Sequence, residues 1–191
     1  SGSRYQLFLF LLNECMKTIL GTGQLGMAVM KSLLEKNPDE KILLVNRSGK
    51  LEIPVPANVQ VEVRDVTSKT AMESIAGRSE VIFSCTDMPY DKWAEFYPAT
   101  AKALAHAMAE TNAKLVFADN LYSYGNVSGM EMYEQMPHNA TTKQGTIRAE
   151  VISAPPVRKV MYRKILKTET WSEKVTSSVN MRPPTVQLGF W

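Results

Sequence analysis

Gly21-Thr22-Gly23-Gln24-Leu25-Gly26 reads GxGxxG. It follows an apolar run directly and opens a helix-patterned stretch, the context in which such glycines cradle a pyrophosphate. Gly21 would permit the tight turn, Gly23 would let phosphate approach the backbone, and Gly26 would let the helix lie close against the strand. Gln24 and Leu25 fall in the first helical turn, whose unpaired N–H groups favour an anion. A glycine-rich turn without a ligand is the plainer alternative. The agreement of strand, loop, helix and following strand argues against it.

The next strand bears on which dinucleotide is held. An NAD site commonly carries Asp or Glu about 20 residues past the glycines, bonded to the ribose hydroxyls. Asn46 stands there, followed by Arg47, Ser48 and Lys50. Without a carboxylate there is no repulsion, and a guanidinium can grip a 2′-phosphate with two hydrogen bonds. NADP is therefore the expected cofactor and NAD the alternative, with Arg47 as a merely solvated loop residue left open. Metal chemistry finds no support. Cys15 and Cys85 form no CxxC pair, and His106 and His138 lack ligand spacing.

These groups need a scaffold, and the sequence supplies one in alternation. Apolar runs predict strands over Thr18 to Leu20, Lys41 to Asn46, Val59 to Val63, Val81 to Cys85 and Lys114 to Ala118. Between them, a helix is expected from Gln24 to Lys36, with Leu25, Val29 and Leu33 on its inner face and Asn37-Pro38 ending it. A second should begin near Ser68, with Ala71, Met72 and Ile75 inward. A third should cover Asp91 to Asn112, broken or restarted at Pro98. Strands alternating with helices predict an α/β fold: a Rossmann-type, doubly wound parallel sheet.

The 191 residues give room for one ordinary domain. A 45% hydrophobic and 21% charged composition excludes disordered, collagenous and membrane-spanning classes. The formal charge of +3 is unevenly spread. Residues 151–191 carry seven Lys/Arg against two Glu, while residues 1–150 are slightly acidic. The basic tail shows no periodic face or recognition motif, so neither nucleic acid nor membrane is an expected partner. Residues 1–15 read as an extra segment, with Met16 as the natural start. The apolar run Tyr5 to Leu12 is too short to span a bilayer. Residues 16–150 read as the nucleotide-binding domain. In residues 151–191, Pro155-Pro156 and Pro183-Pro184 break an aperiodic stretch.

The glycine loop, Asn46-Arg47, Asp65-Val66 and the run Leu115-Val116-Phe117-Ala118-Asp119-Asn120-Leu121-Tyr122-Ser123-Tyr124-Gly125, followed by Arg148-Ala149-Glu150, together resemble the extended or atypical short-chain dehydrogenase/reductases. That group includes the NAD-dependent epimerase/dehydratase family. The resemblance covers Met16 to Glu150 and implies an NAD(P)-dependent oxidoreductase or epimerase. Its substrate would be a small molecule bearing a carbonyl or hydroxyl, or one like a nucleotide sugar. It further implies adenine contacts from Asp65 and Val66, ribose contacts from Ser84, Cys85 and Thr86, and Asp119 at the cofactor edge. Asn120 falls where the family keeps a catalytic Ser or Thr, and its amide can still polarise a substrate oxygen.

The family's YxxxK pair is absent: aligning on Glu150 puts Thr142 and Thr146 at those two positions. Tyr124 and Lys143 are the substitutes the resemblance leaves available for phenol and cation, with Arg148 as a second cation. A tail after Glu150 of ordinary composition but no periodicity, starting abruptly inside an expected helix, is what a reading-frame shift or misjoined gene would produce, a natural short variant with a divergent cap being the alternative. A non-catalytic dinucleotide sensor is the competing function, and a methyltransferase or flavoprotein a third. A cytoplasmic location is expected, and a homodimer is left open.

Overall fold

In a computed structural model, residues 15–128 and 136–153 are described. The basic tail beyond residue 153 and all but Cys15 of the N-terminal segment lie outside them. Five strands form one parallel sheet: β1 (Met16–Leu20), β2 (Ile42–Asn46), β3 (Val59–Val63), β4 (Ser79–Ser84) and β5 (Lys114–Phe117). Their order is β3-β2-β1-β4-β5. After β1 the chain winds one way to β2 and β3, then crosses back to β4 and β5, so the switch point lies between β1 and β4. A crevice outside the carboxyl ends of the strands at that point is where such sheets bind ligands.

The central strands carry apolar residues on both faces, as a sheet covered twice requires. Ile19, Ile42 and Leu44 point to one face, under α1 (Gln24–Lys36). Leu20, Leu43, Val45 and Ile82 point to the other, which receives α2 (Lys69–Ala76), α3 (Trp93–Glu110) and α4 (Lys143–Ser153). Burying Val29, Met30 and Leu33 of α1 contributes roughly 1.5–3 kcal/mol each. The buried face of α1 is thus Gly26, Val29, Met30 and Leu33, whereas Leu25, expected inward, is 44% exposed. Leu25 lies in the first turn, ahead of Gly26, where the helix has not yet packed on Ile19.

Ser68 caps α2, its hydroxyl accepting from the Ala71 N–H at 3.3 Å. Met72 and Ile75 are fully buried, as expected of that helix. The break expected at Pro98 does not occur. A 3-10 turn over Tyr90–Lys92 leads into α3, which runs unbroken through Pro98. Pro98 is only the sixth residue of the helix. The hydrogen bond it cannot make belongs to the carbonyl of Ala94, an exposed residue that water can reach. No helix among the described residues is long and apolar enough to cross a membrane.

Candidate functional site

At the carboxyl edge the glycine loop is fixed by its neighbours on both sides. The Gly21 N–H donates to the Val45 carbonyl, and the Cys85 N–H to the Leu20 carbonyl, each at 2.8 Å. Gly21 has φ +92°, and a Cβ there would come within 2.8 Å of the Cys85 carbonyl oxygen. A Cβ on Gly26 would overlap the Gly21 carbonyl and press on Ile19. Gly23 is the contrast: a Cβ there meets nothing within 4 Å. It is also the N-cap of α1, with no side chain bonded to the helix end and no acidic residue in the first turn. Two glycines are therefore required by the fold, and the third borders an open, electropositive helix terminus. The loop fits a pyrophosphate on these grounds.

On the β2 side, Asn46 links two loops. Its amide donates to the Thr22 hydroxyl and to the Lys50 carbonyl, both at 3.0 Å, and its carbonyl accepts from the N–H groups of Ser48 and Gly49. Arg47 is exposed and reaches toward the segment after β4, with Nη2 3.4 Å from Met88 Sδ. Asp65 lies in reach of Arg47. Its carboxyl is held below the usual range, mainly by the Thr67 hydroxyl and N–H, with Arg47 adding a smaller effect. Val66 is a core residue, 5% exposed. Ser84 is buried, and Cys85 and Thr86 are half-buried against Gly21. Burial pushes the Cys85 thiol up to about 11, so it stays protonated.

The β4–β5 side is aromatic and charged. Arg148 of α4 is 4% exposed, its guanidinium 4.1 Å from the Tyr97 ring centroid and 5.4 Å from that of Trp93. Its Nε lies 2.7 Å from Asp119 Oδ1, an ion pair whose N–H is not aligned as a hydrogen bond. Burial raises the Asp119 carboxyl and Arg148 opposes that rise. Tyr97 donates to Asp87 Oδ1 at 2.7 Å, and burial first, then Asp87, pushes its phenol well up.

The remaining expected residues lie around this cluster. Asn120 caps a 3-10 turn over Leu121–Tyr124, accepting from the Tyr122 N–H at 3.1 Å. Tyr124 stacks on His138 at 5.1 Å. Lys143 is exposed at the start of α4. Thr142 accepts from the Gly145 N–H at 3.1 Å, and Thr146 donates to the Thr142 carbonyl at 3.0 Å, so both hydroxyls serve the start of α4. A Cβ on Gly145 would come 2.5 Å from the Tyr122 carbonyl oxygen, so α4 is seated tightly on the turn after β5. Trp93, Tyr97, Tyr90 and Tyr122 were not among the expected site residues. Their aromatic character is visible in the sequence, but the meeting of Tyr122 with the other three depends on the crossover from β4 to β5. Among the described residues, no group of three or more His, Cys, Asp or Glu could hold a metal ion.

No family model matches the sequence, and no curated protein matches it by sequence. Solved structures do match in fold. A dTDP-glucose 4,6-dehydratase from Bacillus anthracis, solved with NAD, superposes with a TM-score of 0.62 at 14% identity, covering 72% of this chain and 48% of that one. Uronate dehydrogenase from Agrobacterium tumefaciens gives 0.63 at 14% identity, covering 80% and 57%. UDP-N-acetylglucosamine 4-epimerase from Bacillus cereus gives 0.58 at 18%, covering 78% and 50%. The chain thus has the Rossmann-type fold of NAD-dependent epimerase/dehydratase structures and spans about half the length of those it matches.

Proposed function

We infer that the protein binds a nicotinamide dinucleotide and belongs to the epimerase, dehydratase or reductase kind, acting on a carbonyl or hydroxyl of a small molecule such as a nucleotide sugar. The observation that carries this reading is the division of labour in the glycine loop. Gly21 and Gly26 leave no room for a side chain, while Gly23 faces open space at an uncapped helix end on the ligand-binding edge. When bound, such a cofactor supplies or accepts a hydride. The chain's own residues would hold it: the first turn of α1 on the pyrophosphate, Arg47 and Asp65 toward the adenosine end, and Ser84, Cys85, Thr86 and Asp119 along the edge.

NADP is the proposed form, because Asn46 brings no carboxylate to the ribose and Arg47 extends a cation beside it. The matching dehydratase was solved with NAD, which makes the choice a matter for direct titration. Isothermal titration with NADP, NAD and their reduced forms tests both points. Tighter binding of NADP supports the assignment, tighter binding of NAD reverses the cofactor, and no binding of any form removes the reading. A second reading, a dinucleotide-binding sensor without turnover, is favoured by Thr142 and Thr146, whose hydroxyls serve the helix start.

A further inference from the structure

Two phenols stand at the edge of the site in an arrangement that packing alone does not require. Tyr90, in the 3-10 turn after β4, and Tyr122, in the one after β5, bring their hydroxyls to 2.9 Å, either able to donate. Their rings stack with centroids 6.4 Å apart and planes 28° from parallel. Trp93 lies against both, at 4.9 and 5.9 Å. That indole is itself fixed, Nε1 donating to the Met88 carbonyl at 2.7 Å. Asn120 holds the Tyr122 backbone. Yet Tyr90 is 56% exposed and Tyr122 44%. Rings held in place by their neighbours but left in water on the ligand edge of a sheet mark a surface kept for a ligand.

The position of the pair along the edge is informative. On the dinucleotide reading, the glycine loop at the end of β1 would hold the pyrophosphate, with Arg47 and Asp65 on the adenosine side. The nicotinamide half would then lie on the other side of β1, where β4 and β5 follow in the sheet, and the turns after those two strands carry Tyr90 and Tyr122. The other phenols near this edge are committed elsewhere. Tyr97 is buried and bonded to Asp87, and Tyr124 stacks on His138.

We propose that Tyr122 is the proton donor to a substrate oxygen, with Tyr90 as the residue that positions its hydroxyl. The proposal rests on the dinucleotide reading above. In the reductive direction a bound reduced cofactor would supply the hydride to the substrate carbonyl carbon and be oxidised by two electrons. The π-bond pair moves onto the carbonyl oxygen, the Tyr122 O–H bond breaks, and its proton forms the new O–H bond of the alcohol. The Tyr122 phenolate left behind accepts the Tyr90 hydrogen bond and regains a proton from water, which its exposure permits. The hydrogen bond with Tyr122 raises the Tyr90 phenol above its usual value, and a hydroxyl 2.9 Å away is placed to donate to the phenolate once Tyr122 has given up its proton. Charged groups around the pair are Asp87 and the Asp91–Lys92 pair on the segment after β4, Asp119 at the end of β5, and Arg148 from α4 against Trp93.

The test is a phenolate titration by near-ultraviolet absorbance, with cofactor binding followed by fluorescence in the same samples. Wild type, Tyr122→Phe and Tyr90→Phe are each titrated without cofactor, with the oxidised form and with the reduced form. The oxidised ring is positively charged, so one wild-type phenol should titrate about one pH unit lower with it than with the reduced form. Tyr122→Phe should abolish that cofactor-dependent component. Tyr90→Phe should keep it but move it to higher pH, since the phenolate has lost its donor. A cofactor-dependent component that survives Tyr122→Phe, or its absence from a wild type that binds both forms, overturns the proposal alone. Failure to bind either form overturns the dinucleotide reading, and the proposal with it. Both side chains are exposed, so the two variants should fold, which thermal melts check.

Discussion

The two halves of the carboxyl edge are held by different means. Around β1 and β2 the site is mainly backbone, a positive-φ glycine and a helix end, braced by the Asn46 side-chain amide that links two loops. Around β4 and β5 it is side chain: Arg148 stacked among Tyr97 and Trp93, the Asp119 ion pair, and the paired phenols. Backbone cradles accept any ligand with the right charge and shape, and they tolerate only glycine. Side-chain clusters define chemistry, and their composition can change while the fold persists. The difference explains how the family-like glycine loop coexists with threonines where a tyrosine and a lysine would be expected.

The sharpest way to break this contrast is within the glycine loop itself. Gly26→Val should have the largest effect on stability, because its side chain overlaps the Gly21 backbone, which cannot move without displacing β1. A loss of about 3 kcal/mol or more is expected, read by chemical denaturation. A fully stable Gly26→Val protein would mean that the loop is not locked as described.

On the other half, Arg148→Ala should lower stability by roughly 3 kcal/mol, since it strands a largely buried carboxylate. The sign with pH follows from Asp119. Burial already raises its carboxyl above the unfolded value, and losing Arg148 raises it further, so protonation favours the fold. The penalty of Arg148→Ala should therefore shrink as pH falls and the Asp119 carboxyl takes up a proton, and it should be smaller in an Asp119→Asn background. A penalty unchanged in that background would argue that Arg148 acts through its aromatic stacking alone.

Arg47→Ala tests the polar boundary of the backbone half. It should narrow the gap between NADP and NAD affinities by about 1.5–3 kcal/mol, as for hydrogen bonds to a charged group, with little effect on melting temperature. The smallest effect is expected at Asp65. Its carboxyl is lowered by Thr67, so it adds stability above pH 3.8, and that increment fades as pH falls through the lower folded value. Thr67→Val should flatten this acid limb in a pH series of melts, whereas an unaltered limb would assign it to other carboxylates.

Much of the backbone half was legible in the sequence because it is local. Three glycines within six residues, between an apolar run and an amphipathic stretch, specify a loop without reference to the rest of the chain. The five strands were equally readable from their apolar runs, and the structure moves their ends by no more than two residues. Leu25 misled because helical spacing does not reveal where the sheet beneath a helix stops. Pro98 misled because the helix begins at Trp93, behind a 3-10 turn that composition does not announce. The side-chain half was hidden for a different reason. Asp119 meets Arg148, and Tyr90 meets Tyr122, only because crossovers return distant segments to one edge, and no periodicity in the sequence encodes that meeting.

The central claim is that the glycine loop is a dinucleotide site, and Gly23 isolates it from the fold. The decisive measurement is calorimetric titration of NADP into wild type and Gly23→Val, with thermal melts of both. A Cβ at Gly23 meets no protein atom within 4 Å, so the variant should fold, its melting temperature lowered only by the poorer N-cap that valine makes. Its side chain would stand where the pyrophosphate must approach, so binding at a single wild-type site should be abolished. Unchanged affinity in a folded Gly23→Val protein would contradict the account.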